Sequence, residues 1–222
     1  NRDRCMGSLY WQLNDCWPVA SWSSIDYYGK WKALHFEMKK AFSNVIISNH
    51  IENDNLICHV ISDSVNPFEG ILMVSVLDFK GKELKALVKK AKVMPNSSIK
   101  ELKFSLQGFD KSTSFIKAAL ISNNKIIANS NYFLAPFKFL NLKKPEIEFE
   151  INRNRNEYEL TFESNSLAID VFLSLEKECS FSDNYFDLIP GEKKHIFLKI
   201  DEEIDKKYLY KNLKIVTLAD TY

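Results

Sequence analysis

The sequence predicts a mainly β protein, two consecutive β-sandwiches preceded by a single strand-and-helix unit of a larger α/β domain. Three observations carry that reading. From Asn44 onward, short runs rich in Ile, Val, Leu and Phe recur, and Asn, Asp, Gly or Pro punctuate the gaps between them. Beyond Pro145 the alternation becomes cleaner, with Glu146, Glu148 and Glu150 interleaved with Ile147, Phe149 and Ile151. The first 43 residues obey neither pattern and hold all four tryptophans, Trp11, Trp17, Trp22 and Trp31.

The opening unit spans residues 1–43. "CMGSLYWQL" (5–13) is an apolar run with a small-residue start, the pattern of a strand buried on both faces of a parallel sheet or barrel. A loop, "NDCWPVASW", follows it, and then a helix that Ser24 or Asp26 can cap. Trp31, Leu34, His35, Met38 and Phe42 fall at helical spacing on one side of that helix. Lys39 and Lys40 sit near its end, where cations suit the helix dipole.

The first sandwich spans 44–139, with strands expected over 45–49, 55–62, 70–78, 83–93, 98–106, 115–122 and 125–134. "APFKFLNLKKP" (135–145) carries a proline near each end and reads as the connector between the two sandwiches. The second sandwich, 140–222, has strands expected over 146–153, 157–164, 167–176, 185–189, 195–200 and 212–219. Its alternation gives each strand one wet and one buried face. "DEEIDKKY" (201–208) is a charged excursion, a solvated loop or one helical turn, and Phe181–Asn184 reads as a turn whose Asp and Asn side chains bind their own backbone.

Composition limits the function classes. Thirty basic residues against 29 acidic leave a formal charge of +1, so no electrostatic case arises for nucleic acid or for an anionic membrane as partner. The longest apolar runs, such as "GILMVSVL", are strand-sized and far below the ~18 residues of a membrane span. Position 1 is Asn with no leader-like stretch behind it, so any signal peptide is expected upstream of this sequence. Cys5, Cys16, Cys58 and Cys179 are scattered and form no C-x-x-C pair, and His35, His50, His59 and His195 show no metal spacing. Neither a disulfide framework nor a metal or other cofactor is expected.

The indole cluster carries the functional reading. About 40 residues cannot supply their own core. Leaving one large apolar side chain exposed forfeits about 1.5 to 3 kcal/mol, so four exposed indoles would forfeit on the order of 10 kcal/mol, comparable with the stability of a whole domain. Something outside the segment must cover them. At the carboxyl end of a barrel strand, Trp11, Gln12, Asn14 and Asp15 stand where barrel enzymes build active sites. Indole faces there support sugar rings while amides and carboxylates take the hydroxyls. Trp31, on the apolar side of the helix, reads instead as packing, as does Trp22, and Trp17 is open between the two.

"GSLYWQLNDCWPVASWSSIDYYGKWKALHF" resembles the eighth strand, loop and helix of the catalytic (β/α)8 barrel in β-mannosidases of glycoside hydrolase family 2. "VISDSVNPFEGILMVSVLDFKGKEL" is similar to the immunoglobulin-like domain that follows the barrel, and "FSDNYFDLIPGE" with "LKIVTLADTY" to the terminal immunoglobulin-like domain. The resemblance implies a retaining exo-glycosidase that releases terminal β-linked mannose through two glutamates about 5 to 5.5 Å apart. In that family both glutamates come from earlier barrel strands. Asp3, Asp15, Asp26 and Glu37 are the acids of the segment and none matches a catalytic position, so this chain alone is expected to be inactive. The resemblance makes Trp11 the aromatic floor of a sugar subsite, with Asn14 and Asp15 shaping its rim or bracing its loop. It implies a β-mannoside and the rest of the barrel as partners.

Two other readings remain: an autonomous carbohydrate-binding sandwich using Tyr132, Phe133, Tyr158, Tyr185 and Phe186, or the same region of an exo-glucosaminidase, β-galactosidase or β-glucuronidase. Relatives occupy lysosomes and the bacterial periplasm, and the free thiols do not choose between compartments.

Overall fold

A computed structural model describes residues 7–154, 157–202 and 204–221 of the chain. It divides into two compact units, Asn1–Phe42 and Ser43–Tyr222.

Among its described residues the smaller unit holds one helix, α1 (Ala33–Ala41). Of the strand expected over 5–13, Cys5 and Met6 lie outside the described residues, and 7–13 carry no strand in this unit. A parallel strand takes its hydrogen bonds from sheet neighbours, and among the described residues the unit offers isolated bridges, Asn14 to Ile25 and Ile25 to Trp31. The helix also starts later than either proposed cap. Lys32 occupies the N-cap position without a side-chain cap, because Ser24 and Asp26 have other partners. Asp26 closes a tight turn, its Oδ1 accepting from the backbone N–H groups of Tyr28 and Lys30 at 2.9 and 2.8 Å.

The larger unit is built from antiparallel strands. Its first half runs β1 (Val45–Glu52), β2 (Asn55–Ser62), β3 (Phe68–Asp78), β4 (Glu83–Val93), β5 (Ser97–Ser105), β6 (Ser114–Ser122) and β7 (Lys125–Phe133). These form one sheet of order β1-β2-β5 and another of order β4-β3-β6-β7. Two hairpins are set by residue chemistry. Asn53-Asp54 and Asn123-Asn124 all adopt positive φ, the conformation a two-residue turn with the twist of its strands requires and one that Asn and Asp tolerate. Ile47, Leu56, Cys58 and Val60 from the first sheet meet Leu72, Val74, Val76, Ile116 and Leu120 from the second in one core. Edge strand β4 carries two lysines that reach toward β5. Lys89 Nζ pairs with the buried carboxylate of Glu101 at 2.8 Å and Lys85 Nζ lies 5.1 Å from the centre of the Phe104 ring. Charges placed in this way blunt an edge against pairing with another chain.

The second half runs β8 (Ile147–Asn154), β9 (Glu157–Ser164), β10 (Ala168–Ser174), β11 (Ser180–Phe181), β12 (Phe186–Leu188), β13 (Lys194–Lys199), α2 (Lys206–Asn212) and β14 (Lys214–Val216). Its sheets have the orders β11-β13-β9-β8 and β12-β10-β14. The charged excursion ends in a helix because Asp205 caps it, Oδ1 accepting from Tyr208 N at 2.6 Å. The last expected strand shortens to three residues, since Asp220 accepts from Thr217 N at 2.9 Å and turns the chain into a 3-10 helix. Asn184 behaves as the turn reading expects and does more. Its buried amide accepts from Leu173 N at 2.8 Å and donates to Leu173 O at 2.9 Å, standing in for a strand partner of β10.

The connector is not a loose tether. Leu140 is buried with Leu77 and Phe115 of the first sandwich and Leu167, Ile169 and Ile189 of the second, and Ala135 and Leu142 pack against them. Phe79 O accepts from Leu167 N at 2.8 Å, Asn131 Nδ2 donates to Asp187 Oδ2 at 2.9 Å, and Lys117 pairs with Glu192. The prolines gave no sign that this stretch would be apolar and enclosed.

Candidate functional site

The residues singled out from the sequence, Trp11, Asn14 and Asp15, lie in the smaller unit, whose interior is polar. Among its described residues the buried side chains are Asp15, Ser23, Ser24 and Phe36. The large apolar groups face outward: Trp11 is 78%, Trp17 62%, Trp22 81% and Trp31 45% exposed. Trp31, read from the sequence as packing, is half-exposed in this unit. It precedes α1, and its ring lies 4.2 Å from that of His35 and 5.4 Å from that of Phe36. The peptide between Trp11 and Gln12 is cis.

Hydrogen bonds tie the loop from Gln12 to Lys32 together. Gln12 O accepts from Ser24 N at 2.9 Å, Leu13 O from Ile25 N at 2.9 Å, and Ile25 O from Asp15 N at 3.1 Å. Inside this frame Asp15 Oδ1 accepts from Ser21 Oγ at 2.5 Å and Oδ2 from Ser23 Oγ at 2.7 Å. Lys32 Nζ donates to the same Oδ2 at 3.1 Å and to Ser23 Oγ at 2.7 Å. The Asp15 side chain is 1% exposed. The Ser21 and Ser23 hydroxyls hold its pKa down to about 2, against the desolvation that burial imposes, and Lys32 adds to the depression. A second polar group sits beside the first. Ser24 Oγ donates to Leu13 O at 3.0 Å and lies 3.1 Å from His35 Nδ1 and 3.2 Å from the Tyr10 hydroxyl.

The three candidates thus have different situations. Trp11 presents its ring to the outside, Asn14 is exposed with its Nδ2 donating to Asp15 O at 3.2 Å, and the Asp15 carboxylate is directed into its own loop. Sequence reasoning missed Ser21, Ser23 and Lys32. The signal lay in "SWSS", three small hydroxyls within four residues of a segment that has one buried acid to satisfy. Among the described residues no group of three or more His, Cys, Asp or Glu converges as a metal site would require, and Cys16 and Cys58 are free thiols.

Comparison with known proteins defines the class first. Residues 54–138 match the Mannosidase Ig/CBM-like domain and residues 142–221 the Ig-fold domain Ig_mannosidase, so the larger unit is a pair of immunoglobulin-like sandwiches of the mannosidase kind. The chain is 29% identical over 229 residues to the β-mannosidase of Capra hircus, covering 98% of this chain and 26% of the relative. It is 27% identical over 240 residues to β-mannosidase A of Aspergillus niger, with the same coverage of 98% and 26%. Among solved structures it superposes on the β-D-mannosidase of Dictyoglomus thermophilum with a TM-score of 0.82 and 31% identity, over 94% of this chain and 26% of that one. The exo-chitosanase of Amycolatopsis orientalis shares the fold, with a TM-score of 0.66 at 16% identity over 94% of this chain and 29% of that one. Over nearly its whole length the chain is thus similar to a C-terminal portion of β-mannosidases. It spans about a quarter of the length of the curated relatives it matches.

Proposed function

We propose that the chain is the C-terminal accessory and scaffold region of a retaining exo-β-mannosidase, an enzyme that hydrolyses terminal β-D-mannose residues. On this reading residues 1–43 are the last strand, loop and helix of the catalytic barrel, and 44–139 and 140–222 are the two sandwiches that support it. The strand over 5–13 forms when its sheet neighbours supply hydrogen bonds. The two catalytic glutamates belong to the missing barrel strands, and the 222 residues alone are inactive. Of the sugar subsite this chain supplies Trp11 as the stacking face and Asn14 as a partner for hydroxyls, with Asp15 holding their loop.

One observation carries the reading: a unit whose interior is polar and whose four indoles face outward, in a chain that aligns over 98% of its length with β-mannosidases. An apolar exterior of this kind is shaped to lie against other structure.

The test is turnover of a chromogenic β-mannoside. The full-length protein is expected to hydrolyse it and the isolated chain is not. Activity in the isolated chain would overturn the placement of the glutamates, and a full-length protein that prefers a β-galactoside or β-glucosaminide would overturn the choice of sugar.

The alternative, an autonomous sugar-binding sandwich, draws support from the CBM-like description of the domain matched by 54–138. Against it, Tyr158 and Phe186 are buried, and Phe133 packs against the core that joins the sandwiches. Calorimetry with mannose and manno-oligosaccharides separates the two, since binding that survives deletion of residues 1–43 would favour the module.

A further inference from the structure

The smaller unit poses a physical problem that its sugar-facing reading does not by itself solve. An aromatic platform is useful only if held in one geometry, yet the loop bearing Trp11, Trp17 and Trp22 has no hydrophobic interior to fix it. Among the described residues 7–42 the one buried apolar side chain is Phe36, on α1. What fills the loop is the carboxylate of Asp15 with the hydroxyls of Ser21 and Ser23 and the ammonium of Lys32. These four residues come from both ends of the loop and from the base of the helix, so the carboxylate ties three chain segments together. Trp17 and Trp22 lie within the stretch it closes or directly beside it. Trp11 precedes Gln12, whose carbonyl accepts from Ser24 N at 2.9 Å, one residue from Ser23.

We propose that Asp15 is a positioning residue for the sugar subsite: its buried carboxylate, gripped by Ser21, Ser23 and Lys32, orders the loop and thereby sets the Trp11 indole against the substrate. The proposal rests on the β-mannosidase reading for its substrate, and on the loop's own bonding for its mechanism. Asp15 touches no sugar. It acts through the backbone of 12–25 and replaces the apolar core the loop lacks. Asp15→Asn is nearly isosteric, but the amide nitrogen donates where a carboxylate oxygen accepted, and the Lys32 ammonium loses its counter-charge. Ser21→Ala and Ser23→Ala each remove one donor and leave the charge.

Two measurements test this, and they fail separately. In the full-length protein, Asp15→Asn is expected to lower kcat/KM for a chromogenic β-mannoside by about 10- to 100-fold, chiefly through a raised KM. The two serine variants should lie between it and wild type. In the 222-residue chain every tryptophan lies between positions 11 and 31, so indole emission reports this unit alone. There Asp15→Asn is expected to change the emission maximum and the acrylamide quenching relative to the parent chain, while Glu37→Gln, on the exposed face of α1, leaves both unchanged. Unaltered emission and quenching in Asp15→Asn would overturn the proposal, and so would a kcat/KM loss with KM at its wild-type value. A full-length wild-type protein inert toward β-mannosides would instead overturn the substrate reading, and the emission measurement would still decide whether Asp15 orders the loop.

Discussion

Replacing Gly81 with alanine tests whether the two sandwiches act as one body. Gly81 closes the β3–β4 hairpin at φ +80°, and a Cβ built on it would stand 2.7 Å from the carbonyl oxygen of Pro190 in the second sandwich. That is about 0.7 Å short of the 3.4 Å at which ordinary contact begins, and the obstacle is backbone rather than a flexible side-chain tip. Two costs therefore add. Left-handed backbone at a residue with a Cβ costs about 1 to 2 kcal/mol, and forcing the seam apart costs about 1 to 3 kcal/mol more, as overpacking does. Gly108 separates them. It sits at φ +89° with nothing within 4 Å of its would-be Cβ, so Gly108→Ala carries the first cost alone. Gly81→Ala should then unfold about 2 to 12 °C below Gly108→Ala, at the roughly 2 to 4 °C per kcal/mol expected for a chain of this size. Circular dichroism in the β-sheet band is the appropriate probe, because the tryptophans report the smaller unit and not the seam. If the two variants unfold within about 0.5 kcal/mol of each other, the close approach at Pro190 bears no weight and the argument for a tight junction fails.

Further expectations follow from single groups. Asn184→Ala removes the amide that serves Leu173 N and O, leaving two buried backbone groups without partners, and should cost about 2 to 4 kcal/mol in urea unfolding; a loss below about 1 kcal/mol would mean that the strand repairs itself. The Asp15 carboxylate has a folded pKa of about 2 against an ordinary 3.8, so the stability it contributes is complete above about pH 4 and is lost as pH falls through about 2. Indole emission of the chain should therefore hold steady from neutral pH to about 4 and shift only below that; a transition centred near pH 6 would contradict the assignment. Burial, with the Glu101 carboxylate nearby, pushes the Cys58 thiol up to about 12, whereas Cys16 is exposed. Iodoacetamide near pH 8 should label Cys16 in the folded chain and reach Cys58 only after denaturation, as read by peptide mass mapping.

How much of this was legible beforehand depends on the kind of interaction. Strands β2 and β4 run over the residues the pattern assigned, 55–62 and 83–93, because alternation and flanking turn residues are local signals. The two-residue strand β11 escaped notice, being too short to show a period. The start of α1 was misplaced because Ser24 and Asp26 have capping chemistry but are occupied by Leu13 O and by the turn at Tyr28. At the candidate site, sequence pattern marked Trp11, Asn14 and Asp15 together. It did not distinguish the outward indole from the inward carboxylate, since that depends on where Ser21, Ser23 and Lys32 arrive in space.

The amino-acid order alone was enough for the mainly β class, the strand periods, the hairpin turns and the concentration of indoles in a segment too small to cover them, because each of these is written in neighbours a few residues apart. Tertiary structure decided the rest. It enclosed the connector between the sandwiches, sent the Asp15 charge inward and kept the tryptophans outward. Those outcomes rest on contacts between residues distant along the chain, where burial and hydrogen-bond satisfaction are settled jointly by segments that no local pattern links.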